Sequence, residues 1–375
     1  MDLSSEDALR LNVLLASPVQ AVRIDESSMT LYALSDKGEA RVPLNPNCRD
    51  ETYLRRVRET LSSHVLGSPG GYPVYLKRWT RMGQTRHGML ESLLLLGEPE
   101  AVVAVVNASG GITDEIARRA WWASQTAENA RCMLAQEAVV QGAMGPVLAE
   151  FLVEFLPFET EARDMIASVR LVLQSGLIDE QMRNELWNRG RHKNAYYVGF
   201  LQAVPDALPD AAKAHRAHDE VRARLAELTR TGNEYAVQFC RLLGSAGQSF
   251  LDTMEMVLDK PSNQDVVVSL LHAIAAYFRP IRLREADCRT MDDIFAATDA
   301  LMADASVPGH PLGELLSRVP AMEGEVRAML VLSLVDEPLV NPIFSRTDAI
   351  GTVMRRKLKP LFDQLRQHIA VLRNR

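Results

Sequence analysis

The chain has 375 residues, a formal net charge of −6, 47% hydrophobic and 24% charged residues, 21 Gly and 18 Pro. That composition belongs to an ordinary folded protein and argues against a disordered or fibrous chain. The mild negative charge argues against a surface coated for non-specific nucleic-acid or membrane binding. The length suits two or three domains, or one elongated repeat domain.

In chain order, Ser4 and Asp7 offer an N-terminal cap, and Leu11, Leu14 and Leu15 then follow at helical spacing until Pro18. The period changes next. Residues 21–25, 29–35 and 39–44 are short, partly alternating and separated by turn residues, which predicts a three-stranded meander. Leu54, Val57, Leu61 and Val65 mark a helix that Gly67 ends, and 72–79 alternates again. These signals define a small α/β unit over residues 1–88.

From residue 89 helical signals take over, with Thr113, Thr126 and Asp179 placed as caps. Leu148, Phe151, Leu152 and Phe155 form one apolar stripe, and Met165, Ile166, Val169 and Val172 another. Breaks at Gly110-Gly111, Gly142, Pro157, Gly176 and Gly190 separate helices of ten to fifteen residues. The expected fold is mainly α: the small mixed unit, then a HEAT-like or TPR-like helical array or an irregular bundle. No fixed period recurs, so both arrangements stay open.

Two Pro-Asp breaks in 201–220 predict a linker, dividing a helical array at 89–205 from a second helical segment at 206–375. In the last helix Leu358, Leu361, Phe362, Leu365, Ile369 and Leu372 keep a three-four spacing and should dock on the body. The longest apolar stretch, 92–108, is broken by Glu98, Pro99 and Glu100, so no membrane insertion is expected. The N-terminus has no apolar core with a cleavage site and reads as cytoplasmic.

Several constellations bear on function. Residues 60–90 carry Lys77, Arg78, Arg81 and Arg86 interleaved with Trp79 and tyrosines after a glycine-rich turn. Such a patch can hold phosphates and stack on bases, or it can be a basic strand edge facing an acidic body. Arg355, Arg356 and Lys357 lie in the basic final helix, which is either a contact face for nucleic acid or a protein partner, or a solvated face opposite the leucine stripe. Arg191, His192 and Lys193 precede Tyr196 and Tyr197, as Arg118 and Arg119 precede Trp121 and Trp122; cations beside rings can build a ligand groove, and buried rings between helices account for them equally. His215 and His218 read as exposed linker side chains lacking further ligands for a metal. The four cysteines are far apart; among them Cys48, beside Arg49, stands outside a helical pattern and is a candidate sulfur-handling thiol. No phosphate loop, dinucleotide fingerprint or nucleophile motif occurs, so no cofactor is expected.

The segments LNPNCRDETYL (44–54), HVLGSPGGYPVYLKRWTRMGQ (64–84), LLLLGEPEAVVAVVNA (93–108), EFLPFE (154–159), RLVLQSGLIDE (170–180) and KNAYYVGFLQAVPDALP (193–209) resemble DsrS, the sulfur reduction protein encoded with the dissimilatory sulfite reductase genes of sulfur-oxidising bacteria. The resemblance covers most of residues 1–210 and contains no active-site motif. It implies a cytoplasmic accessory protein, not an enzyme, that works with other proteins of sulfur oxidation. The residues themselves keep two alternatives: a nucleic-acid-binding regulator using the basic patches, and a carrier using Cys48.

Overall fold

The structure, a computed structural model, describes residues 3–67, 87–108, 110–283, 288–345 and 351–373. The fold is mainly α, with 21 α-helices and one three-stranded antiparallel sheet among the described residues. Two compact units meet between Phe155 and Leu156, beside the break at Pro157, whereas the sequence sets its domain limits near 88 and 205.

The first unit runs α1 (Ser5–Leu15), β1 (Val19–Asp25), β2 (Thr30–Ser35), β3 (Gly38–Pro43), α2 (Asp50–Leu66), α3 (His87–Leu93), α4 (Pro99–Val106), α5 (Asp114–Ala123), α6 (Ala127–Leu134), α7 (Glu137–Val140) and α8 (Met144–Phe155). The meander has the order β1-β2-β3, with Val22 opposite Ala33 and Leu31 opposite Val42. Leu11, Val22, Leu31, Val57 and Leu61 form its core, fully or almost fully buried. Asp7 fastens α1 to that core. Its buried carboxylate accepts hydrogen bonds from the Tyr53 hydroxyl and from the Asn45 backbone N–H (2.7 Å) and side-chain amide (3.2 Å). Burial pushes the Asp7 carboxyl up, but these bonds outweigh it and hold the group below its ordinary range. The expected caps are present: Thr113 accepts from the Ile116 N–H, Thr126 from Asn129 and Asp179 from Met182. Among the described residues no strand follows Pro43; the alternating stretch 72–79 lies outside them.

The second unit runs α9 (Ala162–Val172), α10 (Glu180–Arg189), α11 (Ala195–Ala203), α12 (His218–Arg224), α13 (Ala226–Arg230), α14 (Glu234–Leu243), α15 (Ser245–Asp259), α16 (Gln264–Tyr277), α17 (Met291–Asp304), α18 (Pro311–Arg318), α19 (Glu323–Ser333), α20 (Asn341–Phe344) and α21 (Gly351–Leu372). The expected stripe of α9 is buried at Met165, Ile166, Val169 and Val172, and it faces α11. The two helices touch at Gly199, where a Cβ would lie 2.7 Å from Val169 Cβ and 3.2 Å from the Ile166 carbonyl oxygen. The final helix α21 docks on α19 and α15, burying Leu358, Phe362, Leu365, Ile369 and Leu372.

The segment 201–220 is not a free linker but part of this unit. Asp206 forms a two-point pair with the Arg241 guanidinium (2.6 and 2.7 Å), and that guanidinium also lies 3.8 Å from the Tyr277 ring centre and donates to the Tyr277 carbonyl. The Ala212 N–H donates to Ser249 Oγ at 2.8 Å. His215, expected to be exposed, is buried; its N–H donates to the Leu243 carbonyl at 2.8 Å and its Nδ1 accepts from the Ala217 N–H. The Pro-Asp breaks do end helices, but side chains from distant helices hold the resulting coil in place.

Two measurements check this packing. Gly199→Ala must push α11 away from α9, and such overpacking costs about 1–3 kcal/mol, read as a lower urea midpoint. The second concerns acid. Burial lowers the pKa of His215, with Arg216 adding to the effect and Glu325 opposing it; burial and Arg327 lower that of His368. The unfolded chain therefore takes up protons first, so stability held above the ordinary histidine value of 6.5 is lost progressively as pH falls below it. The urea midpoint should drop between about pH 7.5 and about pH 5.5, and replacing both histidines with Gln should remove most of that slope. The carboxyls of Asp25 and Glu115, held at about 2 by the Ser27 and Ser28 hydroxyls and by Arg118 respectively, act only in a lower pH window.

Candidate functional site

A cleft of about 1240 Å³ opens in the second unit. Four separated stretches line it: the chain after α8, the α10–α11 turn, the end of α15 with the loop that follows, and α21. The α10–α11 turn supplies three exposed side chains, Arg191, His192 and Lys193. Local packing explains why they project. Trp187 on α10 meets Tyr197 and Phe200 on α11 edge-on, at 4.6 and 5.0 Å between ring centres. The Tyr197 ring lies against Gly190, where a Cβ would come within 2.4 Å of it, so the turn crosses the ring closely and its following side chains point away from the core. Asn194 then donates its side-chain N–H to the Lys260 carbonyl at 2.7 Å, tying the turn to the end of α15. Burial raises the pKa of the Tyr197 phenol, with the neighbouring Arg191 opposing, which keeps the ring neutral at physiological pH.

The charges around the cleft fall into two groups. Those on α15 and α21 satisfy one another: Arg373 pairs with Asp252 and Glu255, while Arg366 pairs with Asp259 (3.7 Å) and Asp363 (3.3 Å) and donates to the Leu258 carbonyl (2.7 Å). By contrast Arg191, Lys193 and Lys260 make no ion pair among the described residues. Beside them stand two apolar side chains open to solvent, Phe158 at 74% exposure and Met256 at 46%. The cleft thus combines uncompensated positive charge, an exposed ring and a flexible thioether, a set suited to holding a ligand.

The residues singled out in the sequence are dispersed. Lys77, Arg78, Trp79, Arg81 and Arg86 lie outside the described residues. Arg355 is half-buried and donates to Thr352 Oγ1 (3.1 Å) and the Pro261 carbonyl (3.5 Å). Arg356 is exposed, and Lys357 borders a separate cavity of about 360 Å³ with Arg289, Leu339 and Leu361. None of these three lines the larger cleft. Cys48 sits in the loop before α2, half-buried against the first unit's core, with the Arg56 guanidinium 3.7 Å from its sulfur. Of the rings expected to pack, Trp121, Tyr196 and Tyr197 are buried, whereas Trp122 is half-buried and donates its indole N–H to the Glu39 carboxylate at 3.0 Å. The run 191–193 was visible in sequence; Phe158, Asn194, Met256 and Lys260 carried no signal of their own, since each becomes part of the site only through a helix contact.

Among the described residues no three His, Cys, Asp or Glu side chains gather as a metal would require, and no helix is long and apolar enough to cross a membrane. No protein-family model, curated protein or solved structure matches the chain.

The half-buried setting of Cys48 has a direct consequence: it should react with iodoacetamide at neutral pH no faster than free cysteine. Rapid selective labelling, or a persulfide on Cys48 in the mass spectrum, would instead place it among sulfur-carrying thiols.

Proposed function

We propose that this protein is a non-enzymatic, cytoplasmic accessory protein of dissimilatory sulfur oxidation, and that it works by holding another protein of the pathway in the cleft of the second unit. The observation that carries the interaction role is the juxtaposition of Arg191, Lys193 and Lys260, without carboxylate partners, and the exposed Phe158 and Met256 around one opening. Exposed large apolar groups beside unpaired charge are characteristic of protein contact surfaces. The pathway comes from the resemblance of residues 44–209 to DsrS, and the cytoplasmic setting from the same source.

The test is affinity capture with the full chain from cells growing on reduced sulfur, carried out with and without nuclease. Sulfite reductase subunits or sulfurtransferases should be recovered, and Ser262→Trp, which puts an indole into the cleft from an exposed lining position, should reduce that recovery several-fold. Absence of these proteins would remove the pathway role. Recovery that vanishes with nuclease would favour the nucleic-acid reading.

A further inference from the structure

We infer that the occupant of the cleft is an extended acidic peptide segment bearing a large apolar side chain. This rests on the proposed interaction role and specifies its chemistry.

Size is the first argument. Pockets for small molecules span about 300–1,000 Å³ and enclose most of the ligand, whereas this cleft offers about 1240 Å³ and is rimmed by exposed side chains. A single metabolite would leave much of it to water; a stretch of polypeptide fills it. Charge is the second. Arg191, Lys193 and Lys260 have no carboxylate partner among the described residues, while the carboxylates of Asp252, Glu255 and Asp259 are already engaged by Arg373 and Arg366, and Glu159, the fourth carboxylate of the lining, is buried. The field felt by an incoming chain is therefore positive along the α10–α11 turn and near neutral along α15 and α21, which selects Asp and Glu. A nucleic-acid strand fits less well, because its evenly spaced phosphates would also run past those carboxylates, and the exposed rings among the described lining residues are Phe158 and the His192 imidazole, not a series on which successive bases stack.

The third argument is a hydrogen bond left open. The Asn194 amide is oriented by its donation to the Lys260 carbonyl, and the Oδ1 of this cleft-lining residue is buried without a hydrogen-bond partner. A buried acceptor without a partner is destabilising. A peptide backbone N–H supplies the missing donor, which neither a phosphate nor a carboxylate can do. Phe158 and Met256 then receive the apolar side chain, Met adapting its shape to whatever enters. Recognition in this form uses main-chain hydrogen bonding for affinity, side-chain pockets for selectivity and rim charge for steering.

The test selects random dodecapeptides displayed on phage against the full-length protein, then measures the enriched peptides with a fluorescein label. They should be rich in Asp and Glu around a Leu, Phe or Met. The R191E/K193E variant should bind them about tenfold more weakly, and peptides with their acids changed to Lys should bind that variant better than the parent protein, an exchange that misfolding cannot produce. F158A should also weaken binding, and N-methylation at one peptide position, removing the N–H that meets Asn194, should do the same. Enrichment of basic or neutral peptides, unaltered binding to R191E/K193E, or displacement of the peptide by an equimolar oligothymidylate would overturn the assignment. Capture of sulfite reductase subunits that persists in R191E/K193E while no acidic peptide binds would overturn the occupant and leave the interaction role. Acidic peptide binding without any pathway protein captured would support the occupant and remove the pathway.

Discussion

The contact on which the second unit most depends is the close crossing of α9 and α11 at Gly199. Close-packed helices approach only as far as their bulkiest interfacial group allows, and at position 199 there is no side chain between the α11 backbone and Val169. With α11 seated there, Val198 and Phe200 are buried around it, Trp187 on α10 packs edge-on against Tyr197 and Phe200, and the turn joining the two helices is carried to the surface. The same seating brings Asn194 within reach of the Lys260 carbonyl. The cleft is thus a consequence of core packing, and its cationic lip sits on a rigid support rather than on a free loop.

Electrostatics around the cleft separates stability from recognition. Arg366 and Arg373 are well covered and share their charge among four carboxylates, so α15 and α21 meet without a lone buried ion. Exposed cations such as Arg191 and Lys193 contribute little to folding whether paired or not, since pairs at such positions are worth about 0–1 kcal/mol. Their presence in a turn of an acidic protein, with carboxylates nearby already engaged, is therefore more naturally a property of the surface offered to others.

The first unit has a different organisation. Its sheet is small, and the Asp7 carboxylate in the first turn of α1 bonds both the loop at Asn45 and helix α2 through Tyr53. Next to that junction, Cys48 lies partly covered by the same core. A half-buried thiol packed against apolar neighbours contributes to that core as a small apolar group.

What the sequence by itself determined is what depends on near neighbours along the chain. Alternation over residues 21–44 specified the meander, caps at Thr113, Thr126 and Asp179 specified helix starts, and the spacing of Met165, Ile166, Val169 and Val172 specified a buried face, because period and capping involve residues only a few positions apart. Tertiary structure decided the rest. Pro-Asp pairs mark the end of a helix, yet nothing local reveals that Asp206 will meet Arg241 or that His215 will be buried beside Leu243, so a fastened coil read as a linker. The cleft is the stronger case: Phe158, Met256, Lys260 and Arg373 lie far from the run 191–193 in sequence, and each alone looks like an ordinary surface residue. Their convergence is set by how helices pack, a property of matching surfaces that no short window of sequence contains.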